Sequence, residues 1–242
     1  MSEEENMKVG ILGAGRLASI LGGCWVRKGH DVVFGVRNPT TSKVVALVET
    51  LGVRARVATV PEAAGTSDIV ALAVPWSSYQ DAIQQAGDLS GKVLVDCSSP
   101  FKSFGAGDPN RREELEIGLT TSGAETVSSW VPGARVVLAF NGPGLEVLDN
   151  PQFGSERATM FICGDDAQAK RDVTQLANDL GFDVCDTGSL CMARYVEPMT
   201  MVWIDMSRNQ KRGTDFAFKL LNRGAGLAPP ETRADLIGIT ES

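Results

Sequence analysis

Three features of this chain predict an α/β fold, a doubly wound parallel sheet with a small helical C-terminal extension. A glycine-rich turn joins an apolar run to a helical pattern near the N-terminus. Short, nearly continuous apolar runs then alternate with amphipathic stretches, which is how strands covered on both faces read in sequence. After Gly188 that alternation stops and methionine-rich helical periodicity takes over. With 242 residues and 43% apolar content there is room for one substantial core and an appendage, so the chain is expected to divide into 1–188 and 189–242.

The first strand is the apolar run 9–12. It leads directly into Gly13-Ala14-Gly15-Arg16-Leu17-Ala18, the G-x-G-x-x-G/A spacing of a dinucleotide-binding turn. Gly13 permits the tight turn, Gly15 removes the Cβ that would obstruct a pyrophosphate, and Ala18 lets the helix lie close to the sheet. The unpaired N–H groups that open the helix then face the diphosphate. Leu17, Ile20, Leu21, Cys24 and Trp25 recur at helical spacing, Gly29 sits where that helix ends, and 31–35 form the second strand.

Where the second strand ends, a site for NAD places Asp or Glu against the ribose hydroxyls. Val36 and Arg37 stand there instead. A guanidinium pairs bidentately with a 2′-phosphate, which a carboxylate would repel, so NADP(H) is the expected cofactor. Asn38, Thr40, Thr41, Ser42 and Lys43 follow and could add hydroxyl bonds or a second positive charge. The competing reading is a solvated loop with an incidental arginine.

Further strands are expected at 53–57, 68–74, 92–97, 135–140, 159–164 and 182–186, and helices at 77–86, 123–130 and 166–180, with Val60-Pro61-Glu62 opening a short one. The extension reads as helices at 190–208 and 215–221, where Met192, Met199, Met201 and Met206 suit either core or a dimer face. Ligands bind such sheets at the carboxyl ends of the strands. The loops Ala73-Val74-Pro75-Trp76 and Cys97-Ser98-Ser99-Pro100 lie there, so Val74, Pro75, Trp76 and Ser98 are candidates to line the nicotinamide half, with core packing the alternative for Trp76. Residues 101–121, rich in Gly and charge, read as a lid, and 222–242 as a loose tail.

A net charge of −7 argues against nucleic acid or an anionic membrane as partner, and no apolar run approaches the ~20 residues of a membrane span. The acidic opening Met1-Ser2-Glu3-Glu4-Glu5 lacks the character of a signal peptide, so a cytoplasmic protein is expected. Five cysteines without a CxxC pair read as small core residues, and with a single histidine no metal site is expected.

Six segments in order carry a family resemblance: GILGAGRLA, GVRNP, AVPW, the stretch from Thr121 to Asn141, CGDD, and DTGSLCMARYVEP. Together they resemble the NADP oxidoreductases dependent on coenzyme F-420 (F420), a deazaflavin, over about residues 7 to 221. The resemblance implies a Rossmann domain with a small helical extension, often dimeric, in which a hydride passes between the nicotinamide and a second ring. It implies that Gly13, Gly15, Arg16 and Leu17 hold the pyrophosphate, Arg37 the 2′-phosphate, and Val74 and Pro75 the nicotinamide. Two departures stand out. Val36 replaces a serine common in the family, and Asn141-Gly142-Pro143-Gly144 replaces an asparagine–threonine turn near the expected substrate pocket.

The partner expected is a small-molecule redox substrate, and transfer between two rings needs alignment more than acid–base help. His30, in the turn before the second strand, falls at the opposite end of the sheet and reads as structural. A small imine, enone or carbonyl would instead need a proton, from Tyr195, from Glu197 or from a water held by Asn141. Arg194 and Glu197 could equally pair across one helical turn. A non-catalytic NADPH-sensing protein would use the same fold.

Overall fold

The computed structural model describes residues 6–102 and 114–222. β1 (Lys8–Leu12) lies at the centre of the sheet, parallel to β2 (Asp31–Val36), which carries β3 (Ala55–Thr59) at the edge. On its other side β1 pairs with β4 (Ile69–Leu72), followed by β5 (Val93–Asp96) and β6 (Arg135–Leu138), all parallel. A two-residue hairpin of β7 (Gln152–Phe153) and β8 (Glu156–Arg157) precedes β9 (Thr159–Gly164), which is antiparallel to β6 and carries β10 (Asp183–Asp186). The resulting order, β10-β9-β6-β5-β4-β1-β2-β3, is a Rossmann sheet with two added strands. Its order reverses between β1 and β4, which opens a crevice at their carboxyl ends.

Helices close both faces. α1 (Arg16–Arg27), α2 (Ser42–Leu51), α6 (Leu145–Asp149) and α7 (Ala167–Leu180) build the core of one face, around Trp25, Phe34 and Phe140. α3 (Val60–Gly65), α4 (Tyr79–Ala86), α5 (Gly123–Trp130) and the start of α8 (Ala193–Ile204) build the other. β4 and β5 are buried along their whole length, which is why they read as unbroken apolar runs. α3 starts on a capping box in which Thr59 and Glu62 satisfy each other's backbone, with Pro61 in the first turn, where a missing N–H costs nothing.

His30 is buried where α1 and α7 meet the sheet. It accepts the Met7 N–H on Nδ1 at 3.1 Å, which leaves Nε2 as the donor to Asp179 Oδ2 at 2.8 Å. The histidine is thus a fastener at the amino ends of the strands. Trp25 adds a bond from Nε1 to the Leu176 carbonyl at 3.0 Å.

Several expectations need correction. The helix expected over 215–221 is absent: that segment has no regular secondary structure and lies along β9, its Phe218 carbonyl accepting the Thr159 N–H at 3.0 Å and its Leu220 N–H reaching Thr159 Oγ1 at 3.0 Å. Seven residues are too few to nucleate a helix unaided. Lys219, ion-paired with Asp183 and Glu156, holds the segment to the sheet edge instead. Ser42 and Lys43 open α2 rather than lying in a loop, and β3 starts two residues later than expected, leaving Val53 wholly exposed. Cys97 and Cys163 are core residues, but Cys191 is exposed. The expected helix 190–208 is present as a 3-10 turn, α8 and a closing π turn, and its four methionines are half-buried. Most of the expected lid and nearly all of the tail lie outside the described residues. No described helix is long and apolar enough to cross a membrane.

Candidate active site

The fingerprint turn occupies the crevice. Gly13 has φ +119°, and a Cβ on it would meet the Ala73 carbonyl oxygen at 2.7 Å, so the residue is fixed by both conformation and space. Gly15 differs in kind. It caps α1 in an extended conformation, and a Cβ there would meet nothing within 4 Å. The space above it is open, the first turn of α1 carries no acidic residue, and no side chain caps its N–H groups. Those are the properties a diphosphate cradle needs. Leu17 is half-buried in this turn and packs against the core, while Arg16 points outward in a solvent-exposed pair with Glu146 at 3.5 Å.

A cleft of about 270 Å³ runs from this turn towards the end of β2. Gly13, Val36, Arg37, Val74 and Pro75 line it, together with Val60, Ser78, Asp81, Ala82 and Gln85, which the sequence reading missed. Arg37 is exposed and has no ion-pair partner among the described residues. Asn38 does not face the cleft as a donor: its Oδ1 accepts from the Thr40 N–H at 3.2 Å and the Thr40 hydroxyl at 2.8 Å, shaping the turn into α2. Thr41 is the N-cap of α2 without a capping bond, and Lys43 sits in that helix's first turn, which has no acid. A guanidinium without a partner among the described residues and an uncapped helix N-terminus are each groups that attract an anion.

Trp76 takes the packing role rather than the lining one. It is buried, stacks on Trp130 with centroids 5.5 Å apart, contacts Tyr79 at 5.3 Å and donates Nε1–H to Glu116. That bond ties the arm returning from the expected lid to the body.

Ser98 is held from below. Its N–H donates to Asp96 Oδ1 at 3.1 Å, and the Tyr79 hydroxyl reaches the same oxygen at 2.9 Å and the Leu72 carbonyl at 3.0 Å. Tyr79 therefore bridges the carboxyl ends of β4 and β5, whose loops carry Val74, Pro75 and Ser98. Asp96 is buried with Oδ2 unpartnered, and burial pushes its carboxyl up to about 6. Sequence reading overlooked this pair, although a lone Asp closing the run Val-Leu-Val-Asp was the available signal.

Asn141 follows β6 after Phe140, which itself has φ +63°. Its Nδ2 lies 3.2 Å from Ser99 Oγ and 3.3 Å from Thr200 Oγ1, so three neutral groups from the β5 loop, the β6 turn and α8 meet at one point. An apolar cavity of about 30 Å³ opens beside them, walled by Pro143, Met160, Met199, Trp203 and Phe218. It has room for a methyl group or a water.

The expected Arg194–Glu197 pair does not form, because better partners lie across the interface. Arg194 makes a two-pronged ion pair with Glu125 of α5, at 2.6 and 2.8 Å. Glu197 accepts the N–H groups of Gly123 and Ala124, so both its oxygens are engaged in a buried position. Tyr195, on the outward side of α8, is 67% exposed. Of the three residues expected around a proton donor, Glu197 is buried, Tyr195 faces solvent, and Asn141 lies at the carboxyl end of β6 beside Ser99 and Thr200.

Comparison with known proteins agrees with this architecture. Residues 8–100 match the family described as NADP oxidoreductase, coenzyme F420-dependent. An F420-dependent NADP reductase of Methanocaldococcus jannaschii is 31% identical over 159 residues, covering 63% of this chain and 68% of that protein. The metalloreductase STEAP3 of Rattus norvegicus is 35% identical over 199 residues, which is 82% of this chain. The chain spans only 37% of that relative's length. Among solved structures, a protein of Arthrobacter sp. FB24, provisionally described as an F420-dependent NADP reductase, superposes with a TM-score of 0.80 at 27% identity, covering 90% of this chain and 100% of that one. A reductive aminase of Aspergillus terreus shares the fold, with a TM-score of 0.59 at 17% identity over 83% of this chain and 61% of that one. On these matches the chain belongs to the coenzyme F420-dependent NADP oxidoreductase family.

Proposed function

We propose that this enzyme transfers a hydride between NADP(H) and a second redox ring, F420 or a flavin, stacked on the nicotinamide at the carboxyl edge of β4, β5 and β6. The observation that carries the proposal is the character of that edge. Asn141, Ser99 and Thr200 meet there as neutral hydrogen-bonding groups, while Glu197 is sequestered under α5 and Tyr195 faces solvent. Ring-to-ring transfer needs alignment at ~3–3.5 Å and no proton delivered by a side chain. The relationship to the reductase of Methanocaldococcus jannaschii supports a deazaflavin as the second ring.

A bound nicotinamide would give or take the hydride, and the chain's own residues would orient it. Gly13, Gly15, Arg16 and Leu17, with the N-terminus of α1, hold the diphosphate; the exposed Arg16–Glu146 pair is weak enough to yield to a phosphate. Arg37, on the turn that Asn38 shapes, and Lys43 at the start of α2 take the 2′-phosphate. Val74 and Pro75 floor the nicotinamide, and Ser98 borders it. In this reading residues 1–188 bind the cofactor, 189–242 wall the second ring, and the outward side of α8, with Tyr195 and Val202 exposed, joins two copies into a dimer.

The test is to follow NADPH absorbance anaerobically with F420, then FMN, then a panel of imines, enones and carbonyls. Oxidation by F420 or FMN alone supports the proposal. Oxidation only by the small electrophiles overturns it, and so does NADPH binding without turnover on any acceptor.

A further inference from the structure

A carboxylate lines the cleft in which a polyanion is expected. Asp81 and Gln85, one turn apart on α4, border it together with Val36, Arg37 and Val60. Gln85 Nε2 donates to Asp81 Oδ2 at 2.8 Å, which steadies the carboxylate, while Oδ1 has no partner among the described residues. A negative charge facing a dinucleotide phosphate lowers affinity unless it meets a donor.

Apart from its ribose hydroxyls, NADP(H) carries N–H donors in two places, the N6 amine of adenine and the carboxamide of the nicotinamide. The sheet separates the two. The nicotinamide belongs at the β4–β5–β6 edge, whereas Arg37 at the end of β2 marks the adenosine 2′-phosphate. Asp81 shares its cleft with Arg37, Val36 and Val60 on the β2 side and with Val74 and Pro75 on the β4 side; it is the company of Arg37 that assigns it to the adenine end. The apolar side chains of Val36, Val60 and Ala82 supply walls for the faces of a flat base. Beside the N6 amine, adenine presents N1 as an acceptor, and Gln85 retains an amide hydrogen that is not used on Asp81. The acceptor and donor on α4 thus match the donor and acceptor on that edge of the base.

We propose that Asp81, steadied by Gln85, reads the adenine N6 amine of the cofactor and sets the enzyme's preference for adenine over bases with an acceptor at that position. This rests on the reading of the cleft as the NADP(H) site. A carboxylate in a first helical turn also complements the helix dipole, so removing it costs some stability. That loss is the same for every nucleotide.

The experiment measures binding of NADPH and of its hypoxanthine analogue, in which a carbonyl oxygen replaces the amine, to the wild-type enzyme and to Asp81→Asn and Asp81→Ala. The wild type is expected to favour NADPH by about tenfold, and both variants to narrow that ratio to about twofold or less. Equal ratios in all three proteins overturn the proposal. An alanine variant that binds both nucleotides more tightly by one common factor also overturns it, since the carboxylate would then be merely repulsive. Arg37→Ala tests the underlying reading separately: it should weaken both nucleotides alike, and if it weakens neither, the cleft assignment has failed whatever the Asp81 series shows.

Discussion

Glu197 of α8 receives the backbone N–H groups of Gly123 at 3.0 Å and Ala124 at 2.9 Å, so a buried carboxylate from one element closes the first turn of another. The contact requires glycine at 123, because a Cβ there would come within 2.9 Å of Pro100 and 3.2 Å of Glu197 Oε1. Burial pushes the Glu197 carboxyl up to about 7 from 4.5, against the opposing pull of the two N–H groups. The sign of the linkage follows. Between those values the folded chain holds a proton that the unfolded chain has released, so stability falls as pH rises through that window. Asp96 acts the same way between 3.8 and about 6. Denaturant midpoints should therefore decline from about pH 5 to about pH 8, on the order of 4 kcal/mol in all. Glu197→Gln should flatten the upper half of that decline. A wild-type midpoint that is level or rising across the range contradicts the assignment.

The two fingerprint glycines predict opposite kinds of damage. Gly13→Ala places a methyl 2.7 Å from the Ala73 carbonyl oxygen at positive φ, and should lower stability by roughly 2 kcal/mol or more. Gly15→Ala enters open space in an extended conformation and should alter stability by no more than about 1 kcal/mol. Its methyl stands where the diphosphate must approach, so NADPH affinity should drop by about tenfold or more. Thermal melts and nucleotide titrations on both variants check the pair. A Gly15→Ala protein that binds NADPH normally would remove the pyrophosphate from this turn.

Arg37 separates the two nicotinamide nucleotides. Its guanidinium is exposed and unpaired among the described residues, so Arg37→Ala removes no bond to them. NADPH dissociation should weaken by about 10- to 100-fold, the size of a charge-assisted pair, with NADH binding changed by less than about twofold. Calorimetry with both nucleotides reads this directly, and an equal loss for both would place the arginine elsewhere than at the 2′-phosphate.

Legibility in the sequence followed the physics of each element. β4 and β5 were readable because both faces are buried, and the turn from β1 to α1 because Gly13 answers to a positive φ and a close approach that a side chain does not fit. The exposed start of α2 was not, since Thr41 to Lys43 carry polar side chains that suit a loop as well as an N-terminus. At the candidate site, Arg37 and Asn141 were visible as residue types out of place. Asp81 and Gln85 were not, because a polar face on a short helix is the normal surface pattern and only the sheet order shows which polar face looks into the crevice. The partners of Arg194 and Glu197 were equally hidden: local spacing offers a pair worth ~0.2–0.5 kcal/mol, and tertiary contacts with Glu125 and the N-terminus of α5 supersede it.

Thr200 offers the sharpest test of where the second ring binds. Its hydroxyl lies 3.3 Å from Asn141 Nδ2 and 3.4 Å from the Asn141 carbonyl, and with Ser99 Oγ, itself 3.5 Å away, it holds that residue in place. Thr200→Val keeps the shape and deletes the hydroxyl, leaving the Asn141 side chain held, among the described residues, by Ser99 Oγ at 3.2 Å. Nothing at the nucleotide cleft changes, because Thr200 is not among its lining residues. The expected result is a KM for the acceptor raised by about five- to tenfold, NADPH affinity within about twofold of wild type, and recovery in Thr200→Ser. A merely structural threonine would move stability and both ligands together, and its serine variant would restore no selective defect. If acceptor KM is untouched while the protein remains folded, the meeting point of Asn141, Ser99 and Thr200 is not where the acceptor sits, and the second ring must approach the nicotinamide from another side.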